Sequence, residues 1–339
     1  MLLVGLTKCL RFFLAWQTDL SFDARVFTNA PFATLSEVDR SDPVRSMRLD
    51  RLVTVEVAYP LLRRFSRLRI WGNNDAGIKQ AVPILMYHSI SNDQELGVSP
   101  YYRTVTSPLR FAEQMHILRN LGWRARNLRD GLTALANSTS KPGEKAVVLT
   151  FDDGFRDFYT AAMPVLDELG FSATMYLSTG LIGDSKGRGC LHGRQCLSWS
   201  EVRELNALGV EFGSHTVNHP ELVNLSWSEI ESEIRSSKSE IENQLGRGIT
   251  GFAYPYAFPR ANKAFVMRMR NALEAAGYET CVTTEIGLTA PDDDLFYLKR
   301  LPVNQGDDPK LLTAKLAGAY NWLAWPQRAA KSAKAIFHR

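Results

Sequence analysis

From Ala81 onward, short apolar runs alternate with longer stretches in which apolar residues recur every three or four positions. VPILMYH (82–88) is a continuous apolar run of strand length, which predicts a buried strand. In SPLRFAEQMHILRNLGW, Phe111, Met115 and Leu118 share one helical face, with Ser107 placed to cap the helix and Pro108 at its first position. The alternation continues with the strand KAVVLTF (145–151), a helix through Ala161 to Leu169 stopping at Gly170, and the strand SATMYLS (172–178). A helix starting near Ser198, the strand VEFGSH (210–215) and a helix from Ser226, its capping box closed by Glu229, come next. ITGFAYP (249–255), the helical FVMRMRNALEAAG (265–277) and the strands YETCVTT (278–284) and LFYLKRLPV (295–303) complete the series.

Strands alternating with helices of this length imply parallel βα units. Six or seven of them in series predict an α/β fold: a (β/α) barrel of parallel strands, distorted or incomplete, rather than an open sheet. No glycine fingerprint follows the first strand, which argues against a dinucleotide-binding fold. Residues 1–80 read as an N-terminal appendage, 81–308 as the main domain and 309–339 as a basic amphipathic C-terminal tail.

The chain has 339 residues, 45% of them hydrophobic and 22% charged, the composition of a soluble globular enzyme with a sizeable core. Its 40 basic and 36 acidic residues leave a net charge of +4, and no basic stripe interleaves with aromatics, so nucleic acid is not an expected partner. Four cysteines are too few for a disulfide scaffold. Cys190 and Cys196 bracket CLHGRQC and read equally as a bridge or as two free thiols, with His192 between them a solvent-facing loop residue.

The N-terminal MLLVGLTKCLRFFLAW is interrupted by Lys8 and Arg11 and lacks a clean cleavage site, so it is not read as a secretory signal. It reads as a helix packed on the main domain or as an interfacial amphipathic helix; peripheral membrane contact through it or through the C-terminal helix is the minority reading. A cytoplasmic or inner-membrane-peripheral location is therefore expected over a periplasmic one.

In a barrel, reactive residues gather where strands end. That rule selects His88, Asp152 with Asp153, His215, Tyr254 to Tyr256, and Arg300. His215 and His219 in GSHTVNHPEL are four apart, so one helical turn would face them the same way, as a metal chelate needs. Two neutral imidazoles and a carboxylate make a three-ligand site with open positions. A cation on one aspartate would let its neighbour stay ionised beside it and act as a base.

LTFDDG (149–154), SHTVNHP (214–220) and FAYPY (252–256) together resemble the polysaccharide deacetylase, or NodB-homology, family over roughly Pro83 to Val303. The resemblance implies Asp153, His215 and His219 as metal ligands, Asp152 as catalytic base and the Tyr256 backbone N–H as oxyanion donor. Two departures stand out. Ala253 occupies a position where the family commonly has an arginine steadying the base, and no histidine ends a late strand. His88, ending an early strand, supplies the acid if this chain is similar to the circularly permuted branch, which includes poly-N-acetylglucosamine deacetylases. Arg300 either replaces the missing arginine or makes a surface ion pair.

The implied activity is removal of N-acetyl groups from N-acetylhexosamine units of a polysaccharide or glycan precursor, releasing acetate. It would depend on one divalent ion, zinc by default, with cobalt, nickel or manganese also fitting. Deacylation of another amide, and an inactive glycan-binding barrel, are the alternatives. Tyr176, Trp199, Tyr254 and Phe258 are candidate sugar-stacking surfaces, each with core or rim packing as the competing reading.

Overall fold

The computed structural model describes residues 48–69, 81–137, 145–183 and 189–327. The apolar N-terminus and residues 328–339 of the tail, on which the readings of peripheral membrane contact rest, lie outside the described residues. None of the described helices is long and apolar enough to cross a membrane.

Seven parallel strands close into a ring. They are β1 (Ile84–Tyr87), β3 (Lys145–Phe151), β4 (Thr174–Leu177), β7 (Glu211–Ser214), β8 (Gly251–Ala253), β9 (Thr280–Ile286) and β10 (Leu298–Pro302). β1 pairs with β10 through Leu85↔Leu301 and with β3 through Ile84↔Val148 to Tyr87↔Phe151, so the first barrel strand in the chain closes the ring against the last. The LFYLKRLPV run divides into a 3-10 turn over Leu295–Tyr297 and β10. One strand was not foreseen: β2 (Trp123–Arg126) pairs in parallel with the lower half of β3, Trp123↔Lys145 to Arg126↔Val148. A second surprise is the antiparallel hairpin of β5 (Cys190–Leu191) and β6 (Arg194–Gln195). Its two cysteines are free, and His192 at its tip is exposed.

The helices form where their caps begin them. Ser107, Ser198 and Ser226 each accept from the backbone N–H three residues on, and the latter two carry full capping boxes with Glu201 and Glu229. Gly170 ends the Met163–Leu169 helix in the left-handed conformation that glycine adopts without strain.

Two apolar layers result. One, between strands and helices, contains Leu85, Tyr87, Phe111, Phe151, Phe158, Met175 and Phe212. The other fills the ring: Ile84, Val148, Tyr176, Ala253, Val282 and Leu298. Tyr176 needs room there. A Cβ on Gly213 of β7 would lie 2.6 Å from its ring and 2.7 Å from the Gly251 carbonyl, so only glycine fits between.

The chain ahead of β1 packs against the barrel. Arg48 and Asp50 are buried beside the turn after β10, and the Tyr320 hydroxyl donates to Asp50 Oδ2 at 2.6 Å. The Trp322 indole N–H donates to Thr54 Oγ1 at 3.0 Å. Of the C-terminal tail, a helix over Pro309–Leu316 buries Leu311, Leu312 and Ala314.

Candidate active site

Side chains alternate along a strand, so those facing the ring interior recur every second residue. Counting up from the interior layer, the phase reaches Thr150 and Asp152 from Val148, Arg300 from Leu298, His215 from Gly213 and His88 from Ile84. All four polar ends come out at one mouth, the end where the strands finish. Register levels two of them: Tyr87 pairs with Phe151, and the Asp152 N–H donates to the Tyr87 carbonyl at 3.1 Å. His88 and Asp152 therefore leave adjacent strands at the same height.

Arg300, wholly buried, forks onto Asp152 with Nη1–Oδ1 and Nη2–Oδ2 both 2.7 Å. Its remaining donors reach the Thr283 carbonyl and Thr150 Oγ1 at 3.0 and 3.2 Å. The pair is interior, not a surface ion pair. Burial pushes the Asp152 carboxyl up, but Arg300, His215 and His88 together hold it well below the usual carboxylate range. Asp153 has no such partner: burial, then the Asp152 charge, pushes it up to about 8.

Asp153, His215 and His219 converge, with ligand atoms all within 4.8 Å of one another. Asp153 Oδ1 lies 3.5 Å from His215 Nε2 and 3.3 Å from His219 Nε2. The two histidines do not meet through a helical turn, as their spacing led one to expect. Residues 215–218 are irregular, with Thr216 at φ 71° and His219 at φ 54°. The turn is held from outside. Glu233, on the Trp227–Leu245 helix, accepts from the Val217 and Asn218 N–H groups at 2.7 and 3.0 Å and from Asn218 Nδ2 at 2.6 Å. Within the turn, the His219 N–H donates to Thr216 Oγ1 at 3.0 Å.

The three residues fit a metal ion. His215 Nδ1 sits 2.7 Å from the Ala253 carbonyl, which fixes that nitrogen as the donor and leaves Nε2 as a lone pair toward Asp153. Asp153 Oδ1 and His219 Nδ1 are buried without a hydrogen-bond partner among the described residues. Burial lowers both imidazoles, His219 to about 3 with help from His215, so both stand neutral as ligands must. A buried carboxyl oxygen facing two imidazole Nε2 atoms is an arrangement that a cation reconciles.

Backbone strain collects at the same place. Among the described residues, the non-glycine positions at positive φ are Asp153, His192, Thr216, His219 and Tyr256; all but His192 belong to this site. Tyr256 is 44% exposed, its ring 4.6 Å from that of His219, and its carbonyl accepts from Thr284 Oγ1 at 2.9 Å. His88 is partly buried at the mouth, and burial holds it down to about 4 against the pull of Asp152.

The aromatic candidates fare differently. Tyr176, Tyr254 and Phe258 are at most 1% exposed and Trp199 is 7% exposed, so none offers a sugar-stacking face. Tyr176 points into the ring because its strand phase puts it there, and the others belong to the outer core. Glu233 escaped the sequence reading because it sits in a helix rich in glutamate, where any one acid looks solvated.

Comparison with known proteins adds the family and the fold. The polysaccharide deacetylase family model matches residues 139–281, a span that contains Asp152, Asp153, His215, His219 and Tyr256 but neither His88 nor Arg300. "Putative polysaccharide deacetylase YxkH" of Bacillus subtilis (strain 168) is 32% identical over 239 residues, covering 70% of this chain and 75% of that protein. The poly-beta-1,6-N-acetyl-D-glucosamine N-deacetylase of Escherichia coli (strain K12) is 29% identical over 141 residues, 40% of this chain but only 20% of that protein. Among solved structures, Streptococcus pyogenes deacetylase PplD in complex with acetate superposes with a TM-score of 0.59 at 26% identity, over 70% of this chain and 99% of that one. IcaB from Ammonifex degensii shares the fold, with a TM-score of 0.57 at 23% identity over 70% of this chain and 97% of that one.

Proposed function

The chain belongs to the polysaccharide deacetylase family, and from that premise we propose that it is a metal-dependent N-deacetylase of N-acetylhexosamine units in a glycan, releasing acetate. The observation that carries this reading is the pairing of an Arg300-held Asp152, level with His88, beside the convergent Asp153, His215 and His219.

A divalent ion held by Asp153, His215 and His219 would polarise the acetamide carbonyl and make water acidic enough to lose a proton near neutral pH. Zinc suits a donor set of two imidazoles and a carboxylate, and cobalt, nickel or manganese would also fit. Asp152, ionised and aimed by the Arg300 fork, takes the proton of the attacking water. The Tyr256 N–H, set by its left-handed backbone and by Thr284, donates to the developing oxyanion, a contact worth about 3 to 4 kcal/mol in comparable sites. His88 starts neutral at pH 7, so it does not stand ready protonated. The proton that Asp152 takes from the attacking water passes to His88, which delivers it to the departing nitrogen.

The test is acetate release from a panel of N-acetylated glycans by zinc-loaded protein. Asp152→Asn should lower turnover by roughly 10²-fold or more at unchanged metal content by elemental analysis. No acetate from any glycan, together with Asp152→Asn leaving hydrolysis of a generic acetyl ester untouched, would remove the enzyme reading.

A further inference from the structure

Asp157 closes the sequence run that carries the two catalytic-site aspartates, FDDGFRD, yet nothing in the chemistry above uses it. Its side chain meets the segment that follows β1, the strand paired with β3. Ser89 Oγ, on a residue with no exposed surface, donates to Asp157 Oδ2 at 2.5 Å, and Ser91 Oγ lies 3.0 Å from Ser89 Oγ. Burial pushes the Asp157 carboxyl up, while the Ile90 amide, the Ser89 hydroxyl and Arg194 favour its charged form. Asp157 therefore meets the extended segment that follows His88 through the Ser89 hydroxyl.

β1 ends at Tyr87, and its ladder partners end with it. Beyond that point the direction of the His88 side chain depends on what fixes its neighbours. On the far side Ser89 forms a parallel bridge to Val105, with the Thr106 N–H donating to the Ser89 carbonyl at 3.0 Å. The Ser89 side chain points opposite to that of His88, by strand alternation. An anchor on the Ser89 hydroxyl therefore adds to that bridge a side-chain tether on the face opposite the imidazole, which holds the imidazole inward. The anchor belongs to the same loop as Asp152, so one short segment locates base and acid together.

We infer that Asp157 is a positioning residue for the proton-donating step, acting through Ser89 to aim His88 at the leaving nitrogen. The inference rests on the proposed acid role of His88. A bland alternative exists: a buried hydroxyl needs an acceptor, and Asp157 could serve only as that.

An amide needs a proton on its departing nitrogen, whereas the phenolate of 4-nitrophenyl acetate leaves without one, so comparing the two substrates separates the cases. Asp157→Ala should lower kcat on an N-acetylglucosamine oligomer by about 10- to 100-fold, with ester turnover within about threefold and metal content unchanged. Asp157→Asn, which keeps an acceptor for Ser89, should restore most of the amide rate. In a His88→Ala background, Asp157→Ala should cost nothing further on the amide. Ser89→Ala should give the same amide-selective loss and replaces Asp157→Ala if that variant does not fold. Equal loss on both substrates, no loss, or full additivity with His88→Ala overturns the inference. If His88→Ala itself shows no amide-selective loss, the acid assignment falls and this inference falls with it. If His88→Ala shows the split and both Asp157→Ala and Ser89→Ala do not, only this inference falls.

Discussion

At the scale of single residues, the site turns on how Arg300 meets Asp152. The planar fork delivers two parallel N–H bonds of 2.7 Å to one carboxylate, and its third face is spent on the Thr283 carbonyl. A lysine would supply charge but a single point of contact, and its strongly hydrated ammonium is poorly suited to a place with no exposed surface. Arg300→Lys should therefore lower kcat by about 10- to 100-fold with KM little changed, because orientation of the base is lost while substrate contacts stay. Steady-state kinetics on an N-acetylated oligomer would check this, and a Lys variant with full kcat would show that the fork is dispensable. Arg300 also marks how far single residues were legible. Asp152, Asp153, His215 and His219 stood in short contiguous motifs, so they could be gathered as candidates from the sequence. Arg300 could be placed at a strand end with Asp152 as one of two readings of its partner, which sequence alone did not decide because that partner lies 148 positions away. Tyr176, Tyr254, Phe258 and Trp199 take the core-packing reading over the sugar-stacking one; sequence left both open because an aromatic residue in an apolar run carries no mark of which face it takes.

At the scale of elements, the alternation of strands and helices was legible because caps and periodicity are local, and Ser107, Ser198, Ser226 and Gly170 do locally what they do in the fold. β2 was not legible: WRAR has two arginines in four residues, and it becomes a strand only because β3 offers an edge. The turn between the two histidines is the sharper case. A spacing of four predicts a shared face only if the segment is helical, and here tertiary contacts impose another conformation with two residues at positive φ. What stabilises that conformation is Glu233, which satisfies two backbone donors and one side-chain donor of the turn from a neighbouring helix. Removing it should let His219 drift from Asp153. Glu233→Ala is expected to weaken zinc affinity by about 10- to 100-fold in chelator competition, with a smaller loss for Glu233→Gln, which retains one acceptor. Unchanged affinity in both would mean that the turn keeps its shape without the glutamate.

At the scale of the whole molecule, the ring is braced by a buried ionic cluster that joins the chain before β1 to the chain after β10. Arg48 meets Asp50 at 2.6 Å and Asn304 Oδ1 at 3.1 Å, while Lys315 meets Asp307 at 2.6 Å and donates to the Pro302 carbonyl at 2.6 Å. Asn304 in turn donates to the Pro100 and Arg103 carbonyls, tying in the loop that follows His88. Such a cluster adds little over a well-packed apolar one, but breaking it from one side strands the opposite charge. Among the described residues, Asp50→Ala leaves Arg48 with Asn304 Oδ1 and, for a carboxylate, the more distant Asp307 at 3.8 Å, and it frees the buried Tyr320 hydroxyl. A loss of about 3 to 5 kcal/mol is expected, and at roughly 2 to 4 °C per kcal/mol a fall in Tm of the order of 10 °C. The pH dependence follows from the same contacts. Burial raises the Asp50 carboxyl, but Arg48 and Tyr320 bring it below its ordinary value. A carboxyl with a depressed folded-state pKa contributes stability above its unfolded value, about 3.9, and loses that contribution as the pH falls through the folded value. The Tm gap between wild type and Asp50→Ala should thus be full at pH 7 and narrow progressively below about pH 4. Thermal unfolding followed by circular dichroism across pH 3 to 7 measures it, and a gap that stays constant over that range would mean that the Asp50 charge contributes nothing to holding the two ends of the chain on the barrel.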